Sequence, residues 1–233
     1  MKKLRFDTRL ISLLGIVSLW LGLAGCGSTG GSVSSSSPAA TPSAVTNPSA
    51  AKQAAAETTE KIKFKADNGS EVLSIKLMGD GAKVVDGNDR ELARLKLDDR
   101  RKVKIKNSAD KVLGYVVSSS GTWKLETADQ SQELYILRHQ PDGDYKLERG
   151  KNQALYRIKV RDYGFEIETV AKQSLYKIKL KEGKLSLRNA QDKTVLSTKN
   201  KLVPVAIASF GFKELSQEQQ AALAYAVNLS GGK

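Results

Sequence analysis

The fold class predicted from this sequence is mostly β: an antiparallel meander of about 12–14 short strands closing into a barrel, with a buried apolar C-terminal α-helix. Three observations predict it. From Lys61 onward, short stretches of alternating apolar and polar residues are separated by turn pairs such as Asn68-Gly69, Asp80-Gly81 and Asp142-Gly143. The apolar positions recur about every 20 residues through the same stretch. The chain ends in a segment that is small and apolar around most of its circumference.

The N-terminus comes first. Lys2, Lys3, Arg5 and Arg9 precede an apolar run from Leu10 to about Leu23, which closes as Leu23-Ala24-Gly25-Cys26. A basic start, an apolar centre and small residues before a cut are the layout of an export signal. The run is shorter than the roughly 20 residues a spanning helix needs. Cys26 is the only cysteine, and a lone exported thiol lacks the partner that an oxidising compartment favours. The small-small-Cys ending resembles the lipobox of bacterial lipoproteins. That resemblance implies a signal peptide over 1–25, lipid on Cys26 and residence in the bacterial cell envelope. Gly27 follows, not Asp, which by the same resemblance favours the outer membrane where there are two membranes.

Residues 26–60 are rich in Ser, Ala, Pro and Thr, with Ser34 to Ser37 in a row and almost nothing large and apolar to bury. Such a stretch predicts a disordered tether with a reach of about 30 Å. Removing 1–25 takes away four basic residues and Asp7, so the formal charge falls from +13 to +10. A basic exported chain points toward anionic lipid, acidic glycan or an envelope protein as partner, and away from nucleic acid.

The barrel-like domain is read over 61–233. Its inward ladder runs Ile62, Ala82, Val103, Trp123, Tyr145, Phe165, Leu185, with Phe64, Val84, Ile105, Leu125, Leu147, Ile167, Leu187 two residues on. A second pair of ladders passes through Leu73, Tyr135, Tyr156 and Tyr176, and through Ile75, Leu137, Ile158 and Ile178. This gives seven strand-turn-strand units. Within one strand, Tyr156, Ile158 and Val160 are expected to point inward, and Arg157 and Lys159 outward. Two strands per unit and no Asn ladder exclude leucine-rich repeats. Four strands per propeller blade would leave half a blade over. The strands are too short, and the outside too charged, for a membrane-spanning barrel.

After the last unit, Leu202 to Ala208 is apolar on both faces. Ser216-Gln217-Glu218-Gln219 fits a capping box that opens a helix running to about Leu229. A long meander of short strands followed by one apolar helix resembles the tubby C-terminal-like superfamily, including the LURP-one-related proteins. The Leu-Tyr-x-Ile-Lys segments at 155–159 and 175–179 and the helix at 217–229 carry that resemblance. It implies a closed barrel of about 12 strands around a central helix. No ligand residue of that superfamily maps onto this chain.

Lysines occupy equivalent outward places: Lys76, Lys96, Lys159, Lys179 and Lys199 with Arg138 in one series, and Lys63, Lys83, Lys104, Lys124 and Lys146 in the other. They predict a basic band, diluted by Glu126, Glu148, Glu166 and Glu168. The densest basic cluster, Arg100, Arg101, Lys102, Lys104 and Lys106, is the first candidate for an anion-binding site. No metal-ligand spacing, phosphate-binding glycine loop or cofactor motif is present. His139 is the only histidine, and no base is placed to activate Ser118, Ser119 or Ser120. The expected role is therefore a non-enzymatic binding module. The alternative is a carrier holding a lipid or other hydrophobic ligand in the barrel, and an enzyme ranks third.

Overall fold

The structure is a computed structural model that describes residues 60–98 and 102–233. Fourteen strands follow one another as β1 (Lys61–Lys65), β2 (Glu71–Met78), β3 (Gly81–Asp86), β4 (Glu91–Leu97), β5 (Lys102–Lys106), β6 (Val112–Ser119), β7 (Thr122–Glu126), β8 (Glu133–His139), β9 (Tyr145–Arg149), β10 (Gln153–Arg161), β11 (Gly164–Thr169), β12 (Ser174–Lys181), β13 (Lys184–Asn189) and β14 (Thr194–Thr198). Each pairs antiparallel with the next, and β1 pairs with β14 to close the barrel. We call the end where β1 begins the entry rim and the opposite end the far rim.

The predicted ladders are the inner wall. Ile62 lies opposite Ile75, Ile75 opposite Val84 and Val84 opposite Ala93; farther round, Ile158 lies opposite Ile167, Ile167 opposite Tyr176 and Phe165 opposite Ile178. Ile75, Val84, Leu137, Leu147, Ile158 and Ile178 are wholly buried. Every even-numbered strand carries a register shift near its start, each setting aside one aliphatic residue: Val72, Leu92, Leu113, Leu134, Leu155, Leu175 and Val195. A bulge adds twist and bend. Seven at one level curl the sheet until its edges meet.

Val160 departs from the expectation. It shares the parity of Ile158, but β10 overruns the lumen there and its side chain is 47% exposed at the entry rim. The positive backbone angles in two turns also move. They fall on Asp89 rather than Gly87, and on Lys151 and Asn152 rather than Gly150. Asp86 makes the first of these possible, because its carboxylate accepts from the Asn88 and Arg90 N–H groups of its own turn. Gly81 has a stricter reason to be glycine, since a Cβ there would lie 1.8 Å from the Leu95 carbonyl oxygen.

The lumen is filled from within. Pro204–Gly211 forms a 3-10 helix running from the entry rim toward the far rim, and α1 (Gln217–Leu229) returns. The capping box forms: Ser216 accepts from the Gln219 N–H at 3.3 Å, and Gln219 Oε1 accepts from the Ser216 N–H at 3.0 Å. The 3-10 segment packs on β11–β13 and α1 on β4–β7. Ala221 to Val227 are all buried.

Polar bonds pin this plug at both rims. Tyr156 donates to Glu214 at 2.9 Å and Tyr135 to the Glu214 carbonyl at 3.2 Å. At the entry rim, Trp123 donates to Ser230 Oγ at 3.1 Å and Tyr145 to the Gly232 carbonyl at 2.6 Å. Burial and the Glu214 carboxylate push the Tyr156 phenol well above its ordinary pKa, so it stays a donor. The barrel, its plug and its core form one compact unit that closes on itself.

Candidate anion-binding site

The outer lysines are for the most part neutralised across the sheet. Lys76 meets Asp89 at 2.8 Å, Lys83 meets Glu91 at 2.8 Å and Lys179 meets Asp192 at 2.9 Å. Lys96 pairs with Asp80 and Lys124 with Glu133. Glu148, nearly buried, takes both Arg138 at 2.8 Å and Lys146 at 2.7 Å. Burial alone would raise the Glu148 pKa, but the two cations outweigh it and hold the carboxyl below its usual range. Asp144 behaves alike, with Lys159 and the Val160 N–H overcoming burial. The continuous basic band is thus a set of cross-strand ion pairs, each worth little at an exposed site.

The sequence-nominated cluster divides. Arg100 and Arg101 lie outside the described residues. Lys106 is taken by Asp110 at 3.2 Å. Lys102 donates to Gln130 at 2.7 Å, and Lys102 and Lys104 stand 5.3 and 5.8 Å from the Tyr115 ring centroid. Two ammonium groups sharing one aromatic face make a cation–π contact with Tyr115.

A different group of lysines converges where the barrel closes. The β1–β14 seam is paired at Lys65 and Ser197. Beyond that pair, the Lys63 N–H turns to Asn200 Oδ1 at 2.8 Å, and Ser197 Oγ donates to the Lys65 carbonyl at 3.4 Å. A cleft of about 340 Å³ opens there, walled by Lys63, Lys65, Lys184 and Lys199, with Thr198 and Asn200 at its floor and Asp67 at one side. Lys63 is 3.7 Å from Glu71, a carboxylate already held by Lys61 at 2.8 Å. Among the described residues, Lys65, Lys184 and Lys199 make no ion pair.

This site was missed because it joins the first strand to the last. One local signal pointed to it: residues 171–201 carry nine basic residues against Glu182 and Asp192. The chemistry on offer is multivalent binding of phosphate, sulfate or carboxylate oxygens by ammonium groups. The His139 ring lies tilted against Tyr145 with centroids 4.8 Å apart, and the His139 backbone N–H donates to the Gly121 carbonyl at 2.7 Å. No cluster of metal-binding side chains occurs among the described residues, nor is any helix there long and apolar enough to cross a membrane.

No family profile matches the chain, and no curated protein matches it. Among solved structures, the chain is similar to a protein from Arabidopsis thaliana, AT5G01750, at 12% identity, covering 60% of this chain and 80% of that one with a TM-score of 0.35. An overlap of that quality carries no weight for family or function.

Proposed function

We propose that this chain is an exported lipoprotein, anchored through lipid on Cys26, whose barrel is a non-enzymatic binding module for an anionic component of the cell envelope. The observation that carries the binding half is the seam cleft: lysines without carboxylate partners gather there, while Lys76, Lys83 and Lys179 of the outer band are ion-paired. The N-terminal layout carries the anchoring half and favours the outer membrane. The carrier alternative needs an apolar void in the lumen, and the 3-10 segment and α1 occupying that space speak against it.

Titration calorimetry with tripolyphosphate tests the site. Lys65→Glu, Lys184→Glu and Lys199→Glu combined should weaken binding about a hundredfold. Lys111→Glu, Lys151→Glu and Lys172→Glu combined make the same charge change in exposed far-rim turns. Those control changes should cost less than about tenfold. Equal losses in the two variants would reduce the interaction to general charge and dismiss the cleft.

A further inference from the structure

The exposed apolar side chains are unevenly placed. Among the described residues, the large ones left in solvent sit at the two rims, while the outer wall carries the ion pairs. The two most exposed, Leu180 at 57% and Met78 at 56%, end β12 and β2 at the entry rim. Between those strands lie only β13, β14 and β1, the strands that form the seam. At about 4.8 Å per strand, β12 and β2 lie about 20 Å apart across the sheet.

The rim between them is basic. Lys181, Lys184, Lys199 and Lys201 lie there without a close ion pair among the described residues; the Lys181–Glu182 pair spans 3.8 Å with both side chains more than four-fifths exposed. Across the same rim, the loops beside β8 to β11 carry Asp142 and Asp162, and Asp144 paired with Lys159. The seam edge of the entry rim thus combines exposed aliphatic tips with lysines that lack a close carboxylate. The chain also leaves toward Cys26 from this rim, because β1 begins there at Lys61.

We infer that the seam edge of the entry rim is a bilayer-contacting footprint: Met78 and Leu180 enter the head-group layer, and the seam lysines meet the phosphates of anionic lipids. Aliphatic tips flanked by lysines suit an interface whose inner side is apolar and whose surface is negative. Asp142 and Asp162 across the rim are repelled by the same surface, so the barrel tilts seam edge down. The inference rests on the anion-binding reading of the seam and names its ligand as membrane lipid. A tether of about 30 Å lets the footprint reach the membrane that holds the anchor.

The test uses the chain from Gly27 onward, which has no lipid and retains the whole self-contained barrel. Trp123 is then its one tryptophan, and it is buried. Leu180→Trp adds a reporter at the footprint. Its emission should shift to the blue with vesicles of phosphatidylglycerol in phosphatidylcholine, and stay put with phosphatidylcholine alone or with free inorganic phosphate. Met78→Ser with Leu180→Ser should weaken vesicle binding about tenfold and leave tripolyphosphate binding and the melting temperature unchanged. The triple seam-lysine variant should lose both ligands. An unshifted reporter with intact tripolyphosphate binding would overturn the footprint and leave the anion site standing, its ligand then a soluble anion, a glycan or a protein. Insensitivity of both ligands to the triple variant would bring down the two readings together.

Discussion

Glu148 shows how single charges hold this sheet. Its side chain is 5% exposed, yet it is ionised, because Arg138 reaches it from the neighbouring strand β8 and Lys146 from two residues along its own strand. Burial raises its pKa, and the two ion pairs more than reverse that, leaving the folded value below the ordinary 4.5. A lowered folded pKa means that the stabilisation is fully present above the unfolded value and disappears as pH falls through the folded one. Glu71, Glu91 and Glu166 shift the same way, so the barrel should lose stability steadily below about pH 4.5. Glu148→Gln should flatten that acid limb in a series of thermal melts. It should also cost about 3 kcal/mol at neutral pH, since Arg138 and Lys146 lose their shared carboxylate. An unchanged acid limb would show that Glu148 is not ionised in the fold. At this scale the parity of the ladders was readable, because side chains alternate strictly along a strand. The ion-pair partners were not, because Lys76 and Asp89 meet only once β2 and β3 are in register.

The C-terminal plug is the element on which the barrel depends. Leu223 and Val227 are wholly buried, and Tyr225 lies beside them at 5% exposure with its phenol pushed up by burial and by Asp80 nearby. Leu223→Asp would place a carboxylate in a dry lumen and cost several kcal/mol, comparable to the whole stability of a domain. We expect that variant to lose its cooperative melt, while Leu223→Ala loses about 2–4 kcal/mol and still folds. A Leu223→Asp variant that melts at the wild-type temperature would mean the helix leaves the lumen without harm. The helix itself was legible from its capping box and its small, apolar circumference. The 3-10 segment beside it was visible only as an apolar run. Its form follows from lying against β11–β13 in space that α1 leaves open. The seven bulges were hidden inside the near-regular spacing of the ladders, since a bulge changes a count by one residue and the turns absorb the difference.

For the whole molecule, anchoring and binding are separable. Cys26→Ser should leave unprocessed precursor and abolish incorporation of a radioactive fatty acid, read by gel and autoradiography. The barrel made from Gly27 onward should still bind anions. Normal processing and membrane retention of Cys26→Ser would remove the anchor from the proposed function without touching the cleft. Strand count and terminal helix are properties of consecutive residues: a two-residue alternation and a helical cap. The sequence by itself determined those, because each depends on interactions within a few residues. It pointed to β5 as the basic site, because five basic residues within seven positions are conspicuous along a chain. Tertiary structure alone adds the seam cleft to it. Closure brings Lys63 and Lys65 of β1 beside Lys184 and Lys199, more than 100 residues away, while carboxylates neutralise lysines of the outer band such as Lys76, Lys83 and Lys179. Electrostatic potential falls with distance in space, and the fold, not the order of residues, sets that distance.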